Sequence, residues 1–196
     1  MVYYDKYVNK PGDPSAVANN IIMAEPKMKP YTLIVNGVAK AFGMTGWRIG
    51  YAAGPEKIIA AMADYQGLET SGISAISQLA ATAALSRDNK QAREAHFAKQ
   101  REVYTDRRNL VCDLINGDKK TSMLLKPPPG AFYAMIDCTD MAKAAGGTHR
   151  LADRMINEKG VALVAGDDFF VDPDKEERKY LRLSFATDEK TIESGI

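Results

Sequence analysis

Lys40 and Arg48 stand eight residues apart in the run NGVAKAFGMTGWRIGYAAGP, residues 36–55, which is otherwise small, apolar and rich in glycine. The run holds no acidic residue, so neither cation has its usual partner nearby. A lysine ending a strand with little polar company is biased towards the neutral amine, because desolvation disfavours charge, and a neutral amine attacks carbonyl groups. An arginine beside glycines, where the backbone can approach a ligand closely, suits a phosphate monoester. Its planar fork donates two parallel charge-assisted hydrogen bonds. A single ligand carrying an aldehyde and a phosphate would engage both residues. Each also fits a plainer role on its own, since lysines begin helices and arginines make surface ion pairs.

The elements that must hold these residues follow from periodicity. YTLIVNG, residues 31–37, is β-branched and nearly all apolar, as a strand buried on both faces would be, and Asn36-Gly37 ends it. WRIGYAAG, residues 47–54, is a second strand of the same kind, which leaves Lys40 on the loop between them. Trp47 is expected to pack in the core. Pro55 opens a helix over 55–69 with Glu56 near the positive end of its dipole, and an alanine-rich helix follows over 74–86. RDNK, 87–90, interrupts it. A long amphipathic helix then runs over 91–116, its apolar stripe including Phe97, Val103, Tyr104, Leu110, Val111 and Leu114, its charged face left to solvent and Gly117 as its stop.

After PPPG, 127–130, the period changes. Strands are expected over 131–137, 161–166 and 180–186, with a helix over 147–160 capped by Thr148 and closed by Gly160. In YLRLSFA, Leu181, Leu183 and Phe185 alternate with Tyr180, Arg182 and Ser184, which turns Arg182 away from the apolar side. The first thirty residues are turn-rich at NKPGDPS (9–15) and EPKMKP (25–30), with a short helix between them at 16–24.

Composition narrows the function classes. In 196 residues, Lys+Arg 26 against Asp+Glu 25 leaves a formal charge of +1, which gives no footprint for nucleic acid or an anionic membrane. Cys112 and Cys138 form no CxxC, and His96 and His149 are isolated, so neither a metal site nor a disulfide framework is expected and a reducing compartment follows. No apolar run reaches the ~18–20 residues of a membrane span, and VYYDKYVNK after Met1 lacks the apolar core of a signal peptide. A cytoplasmic protein is the expectation. No GxGxxG or Walker spacing occurs.

Pyridoxal 5'-phosphate carries the aldehyde and the phosphate that Lys40 and Arg48 call for. The stretch around them closely resembles the cofactor-lysine segment of class I aminotransferases, fold-type I pyridoxal-phosphate enzymes, and most of all the bacterial aspartate aminotransferases. The resemblance rests on the lysine after a strand, Met44-Thr45-Gly46-Trp47 and the arginine eight residues on, then Gly50-Tyr51 and Gly54-Pro55. SAISQLAATAAL, PPPGAFYAMID, GVALVAGDDF and YLRLSFA resemble later segments of the family in the same order. The resemblance implies an α/β fold, the C-terminal part of a fold-type I transferase. Residues 1–90 would end the large cofactor-binding domain, 91–116 form the connecting helix and 117–196 the small domain.

It also implies roles. Lys40 would be the Schiff-base lysine and proton carrier, Arg48 the phosphate anchor, and Arg182 the clamp for the substrate α-carboxylate. The reaction would be transamination between an amino acid, aspartate or aromatic in type, and a 2-oxo acid, in a family that forms homodimers. A decarboxylase, β-lyase or acyl-CoA condensing enzyme would share Lys40 and Arg48.

The family's Asp-x-x-Tyr, whose aspartate holds the pyridine nitrogen, is not found before the lysine: Asp5 is followed by Lys6, Tyr7 and Val8, and Asp13 by Pro14, Ser15 and Ala16. Ala39 stands where a serine often precedes the lysine, and DPDKEERK lengthens the link to the last strand as a solvated loop. The family's N-terminal arm, phosphate-cradling helix start and ring-stacking aromatic belong to earlier sequence. The expectation is therefore a C-terminal half with impaired activity, the alternative being an inactive fragment or interaction remnant, with apolar strand faces left bare.

Overall fold

The computed structural model describes residues 21–118 and 120–196, and these fall into two units, 21–99 and 100–196. The turn-rich segment 9–15, most of the helix expected over 16–24, and Asp5 and Asp13 lie outside the described residues.

In the first unit, helix α1 (Ile21–Ala24) and a 3-10 helix (Pro26–Tyr31) precede strand β1 (Ile34–Gly37), which pairs antiparallel with β2 (Gly50–Ala53) in the register Ile34↔Ala53 to Gly37↔Gly50. Both strands are shorter than expected, because Tyr31 belongs to the 3-10 helix and 32–33 and 47–49 run as coil or turn. Helix α2 (Glu56–Thr70) follows with Pro55 as its N-cap, and the Pro55 carbonyl accepts from the Ile58 and Ile59 amides at 3.0 and 3.1 Å. Helix α3 (Ala75–Leu85) is capped by the Ser74 hydroxyl, which accepts from the Ser77 amide. Arg87-Asp88-Asn89 breaks the helix as expected, and α4 (Lys90–Gly117) begins at Lys90 and continues into the second unit.

The expected burial of this unit is corrected. Val38 and Ala81 are its buried apolar residues among those described, whereas Val35, Trp47, Tyr65, Leu68, Ile76 and Leu79 are exposed. A two-stranded ribbon covers at most one of its faces with its own helices, so apolar strand residues do not by themselves make a core.

The second unit has the core that the first lacks. Strands β3 (Tyr133–Asp137), β4 (Val164–Ala165) and β5 (Tyr180–Ser184) form an antiparallel sheet in the order β3-β5-β4. Helices α5 (Thr139–Ala145), α6 (Thr148–Lys159) and α7 (Glu189–Gly195) complete it, with 3-10 helices at Gly166–Phe169 and Pro173–Lys175. Val111, Cys112 and Ile115 of α4 pack with Ala134 and Ile136 of β3 and with Leu125, Phe185 and Ile192. A smaller cluster joins Cys138, Ala142, Leu151 and Leu181.

Several expectations change here. Arg108 belongs to the buried face of α4, at helical spacing from Val111, Cys112 and Ile115, so that face is not purely apolar. Its guanidinium donates to Asn109 Oδ1 at 2.8 Å and to the Pro128 carbonyl at 3.5 Å. Phe97, Val103, Tyr104, Leu110 and Leu114 are only half-buried. Thr148 begins α6 instead of capping it; Gly147 is the cap. Gly160 closes α6 in the left-handed conformation at φ 70. The strand expected over 161–166 is reduced to two residues, and α5 lies where no element was foreseen. Among the described residues no helix is long and apolar enough to cross a membrane, and no group of three His, Cys, Asp or Glu is set to hold a metal.

Candidate active site

Lys40 lies in the turn that leaves β1, where the Phe42 amide donates to the Val38 carbonyl at 3.2 Å and the Gly43 amide to the Lys40 carbonyl at 3.3 Å. Val38 is wholly buried and roots the turn. The Lys40 side chain is exposed, so the apolar enclosure expected from the sequence is not built by the described residues. What fixes the turn comes from the start of α4. The Phe42 ring stacks on His96, centroids 6.3 Å apart, and meets Phe97 at 5.1 Å. His96 Nε2 lies 3.3 Å from the Ala41 carbonyl, an acceptor, so that nitrogen carries the proton. The sequence reading missed these contacts: His96 is 55 positions from Ala41, and no periodicity links them.

Arg48 is not on the strand expected over 47–54 but at the end of the turn that precedes β2. Its amide and its Nη1 donate to the Thr45 carbonyl at 3.4 and 3.1 Å. Its φ of 55 is left-handed, a conformation that costs a non-glycine residue about 1–2 kcal/mol and collects at functional positions. Trp47 beside it is 47% exposed and so is not core packing. Lys40 and Arg48 thus share the single connection between two paired strands, both with exposed side chains.

Arg182 belongs to the second unit. It stands opposite Met135 of β3 and Val164 of β4, on the face of β5 away from Leu181, as the alternation indicated. Its guanidinium carbon is 4.4 Å from the Tyr133 ring centroid and 4.7 Å from that of Phe169. Among the described residues it makes no hydrogen bond or ion pair. An open groove of about 760 Å³ lies on the same sheet face, lined by Tyr133, Met135, Asp137 and Tyr180.

Both cysteines are buried free thiols. Cys138 Sγ donates to the Lys179 carbonyl at 3.5 Å, and burial, reinforced by the negative charges of Asp137 and Asp167, pushes its pKa up to about 12. Burial also raises that of Cys112.

The family model for aminotransferase class I and II matches residues 2–196. The chain belongs to the aminotransferase class I and II family. Aspartate/prephenate aminotransferase of Thermus thermophilus is 39% identical over 166 residues, 85% of this chain and 39% of that protein. Aspartate aminotransferase of Rhizobium meliloti is 36% identical over 180 residues, 88% of this chain and 40% of that one. The structure of aspartate aminotransferase from Thermus thermophilus with maleate matches with a TM-score of 0.76 at 32% identity, over 99% of this chain and 43% of that chain. The chain therefore spans about two fifths of the length of the curated aminotransferases it matches. Its α/β fold is that of the C-terminal part of a fold-type I transferase, as the resemblance implied.

Aminotransferases of this family depend in general on pyridoxal phosphate. The donors present suit it: an amine and a guanidinium exposed on one connection, the guanidinium with only Nη1 engaged among the described residues.

Proposed function

We propose that this chain carries the C-terminal site residues of an enzyme that transfers an amino group between an aspartate- or aromatic-type amino acid and a 2-oxo acid. The observation that carries the reading is the placement of Lys40 and Arg48 on one strand connection in a chain matched over 2–196 by the aminotransferase model. In this reading residues 91–116 connect a cofactor-binding part, 1–90, to a small domain, 117–196. A dicarboxylic substrate is favoured by the Thermus relative that binds maleate.

Lys40 Nζ would hold the cofactor aldehyde carbon and, once displaced, take a proton from the substrate Cα and return it one step later. Both tasks require the amine to be neutral for part of the cycle. Arg48 would hold the phosphate through parallel N–H donors. Arg182 would grip the substrate α-carboxylate and thereby fix the direction of the Cα–H bond. Pyridoxal phosphate, when bound, supplies the electron sink that makes this proton removable. A homodimer in the cytoplasm completes the proposal, and the two free buried thiols agree with a reducing setting.

A second reading, a fragment that keeps these residues without turnover, is favoured by the exposed apolar side chains of residues 21–99. One assay separates the two. The chain is incubated with pyridoxal phosphate, ¹⁵N-aspartate and 2-oxoglutarate, and ¹⁵N-glutamate is followed by mass spectrometry. Transfer that Lys40→Ala abolishes supports the enzyme; transfer no greater than that of Lys40→Ala supports the fragment.

A further inference from the structure

Arg182 is flanked by rings from both sides of its strand. Tyr133 comes from β3, on one edge of β5, and Phe169 ends the 3-10 helix that follows β4, on the other edge. Their centroids stand 4.4 and 4.7 Å from the guanidinium carbon, inside the range of cation–π attraction. Core burial does not explain Phe169, which is 49% exposed and in neither apolar cluster. Its position is set by the backbone: Gly166, at the start of the same 3-10 helix, is buried against the Tyr180 backbone.

A guanidinium carries five N–H donors in its own plane. Rings that attract it through their faces leave those donors unspent, and among the described residues no acceptor takes them. An in-plane edge of two parallel donors matches a carboxylate and needs no further ordering when the ligand arrives. The geometry points to Tyr133 and Phe169 as positioning residues that hold Arg182 ready for a substrate carboxylate. This rests on the reading of Arg182 as the carboxylate clamp.

The test uses the full 196-residue chain labelled with ¹⁵N, with the Arg182 Nε–Hε resonance assigned by its loss in Arg182→Lys, and succinate as the probe. The resonance is expected upfield from ring currents and moves on titration. In Phe169→Leu it returns towards the free-arginine position and succinate binds about fivefold more weakly, the factor for losing one cation–π contact. Phe169→Tyr restores both, and Tyr133→Leu repeats the loss from the other flank. Unchanged Leu181 and Ala134 amide resonances establish that each variant is folded. If Phe169→Leu and Tyr133→Leu abolish the ring shift but bind succinate as tightly as the parent, the positioning role is overturned and the carboxylate role stands. If succinate leaves the parent resonance unmoved, the carboxylate role fails and the positioning role with it.

Discussion

Gly166 packs so tightly under Tyr180 that a methyl group at its Cα would overlap the Tyr180 carbonyl and the carbon behind it. The 3-10 helix that delivers Phe169 to Arg182 starts at this contact. Gly166→Ala is expected to destabilise residues 100–196 by about 1–3 kcal/mol, the range for an overpacked core position. Gly160 is the control: it is left-handed at φ 70, but open space surrounds its Cα, so Gly160→Ala carries only the backbone penalty, about 1–2 kcal/mol. Urea unfolding of both variants measures the difference, and equal losses would contradict this packing.

The lysine turn is expected to depend on His96. Removing the donor to the Ala41 carbonyl and the partner of the Phe42 ring should loosen the turn without unfolding α4, since alanine is a good helix former. In His96→Ala the Phe42 and Gly43 amides should exchange with solvent about tenfold faster, as expected for a contact worth about 1 kcal/mol or slightly more. Amide exchange by NMR checks this, and unchanged protection would remove His96 from the account.

Cys138 gives a pH dependence with a definite sign. Its thiol keeps its proton up to about 12 in the folded chain, against an ordinary value of 9.0. The raised pKa stabilises the fold fully below about 9, and that contribution is lost as pH climbs towards 12, because the unfolded thiol ionises first. Cys138→Ala should therefore flatten the alkaline fall in stability of residues 100–196. Denaturant midpoints at pH 8 and pH 10.5 test it; an unchanged slope would contradict the account.

Residues 21–99 expose Val35, Tyr65, Leu68, Ile76 and Leu79 while burying only Val38 and Ala81 among the described apolar residues. The 196-residue chain is expected to bind a hydrophobic dye, to self-associate, and to unfold broadly in this unit while residues 100–196 unfold cooperatively. A monomer without dye binding and with one sharp transition would count against this.

Much of this was legible in the sequence where a pattern closes on itself over a few residues. The alternation of Leu181, Arg182 and Leu183 set the facing of Arg182, Ser74 and the alanines after it gave α3, and Gly160 marked the end of α6. Burial was the main failure: an apolar strand such as YTLIVNG is apolar whether or not anything covers it. Long-range contacts were the other. Nothing near Arg182 in the chain names Tyr133 or Phe169, because the pairing of β3 and β4 with β5 brings them together. The burial of Arg108 was not legible, because a charged residue at a core spacing is visible as such only once its acceptors, Asn109 and the Pro128 carbonyl, are in place.

The central claim is that Lys40 is the cofactor lysine. Titration of the purified chain with pyridoxal phosphate, borohydride reduction and peptide mapping tests it most directly. The account predicts one dominant phosphopyridoxyl label on Lys40, absent from Lys40→Ala and weakened in Arg48→Ala. Label scattered over surface lysines, with Lys40 no richer than the rest, would contradict it.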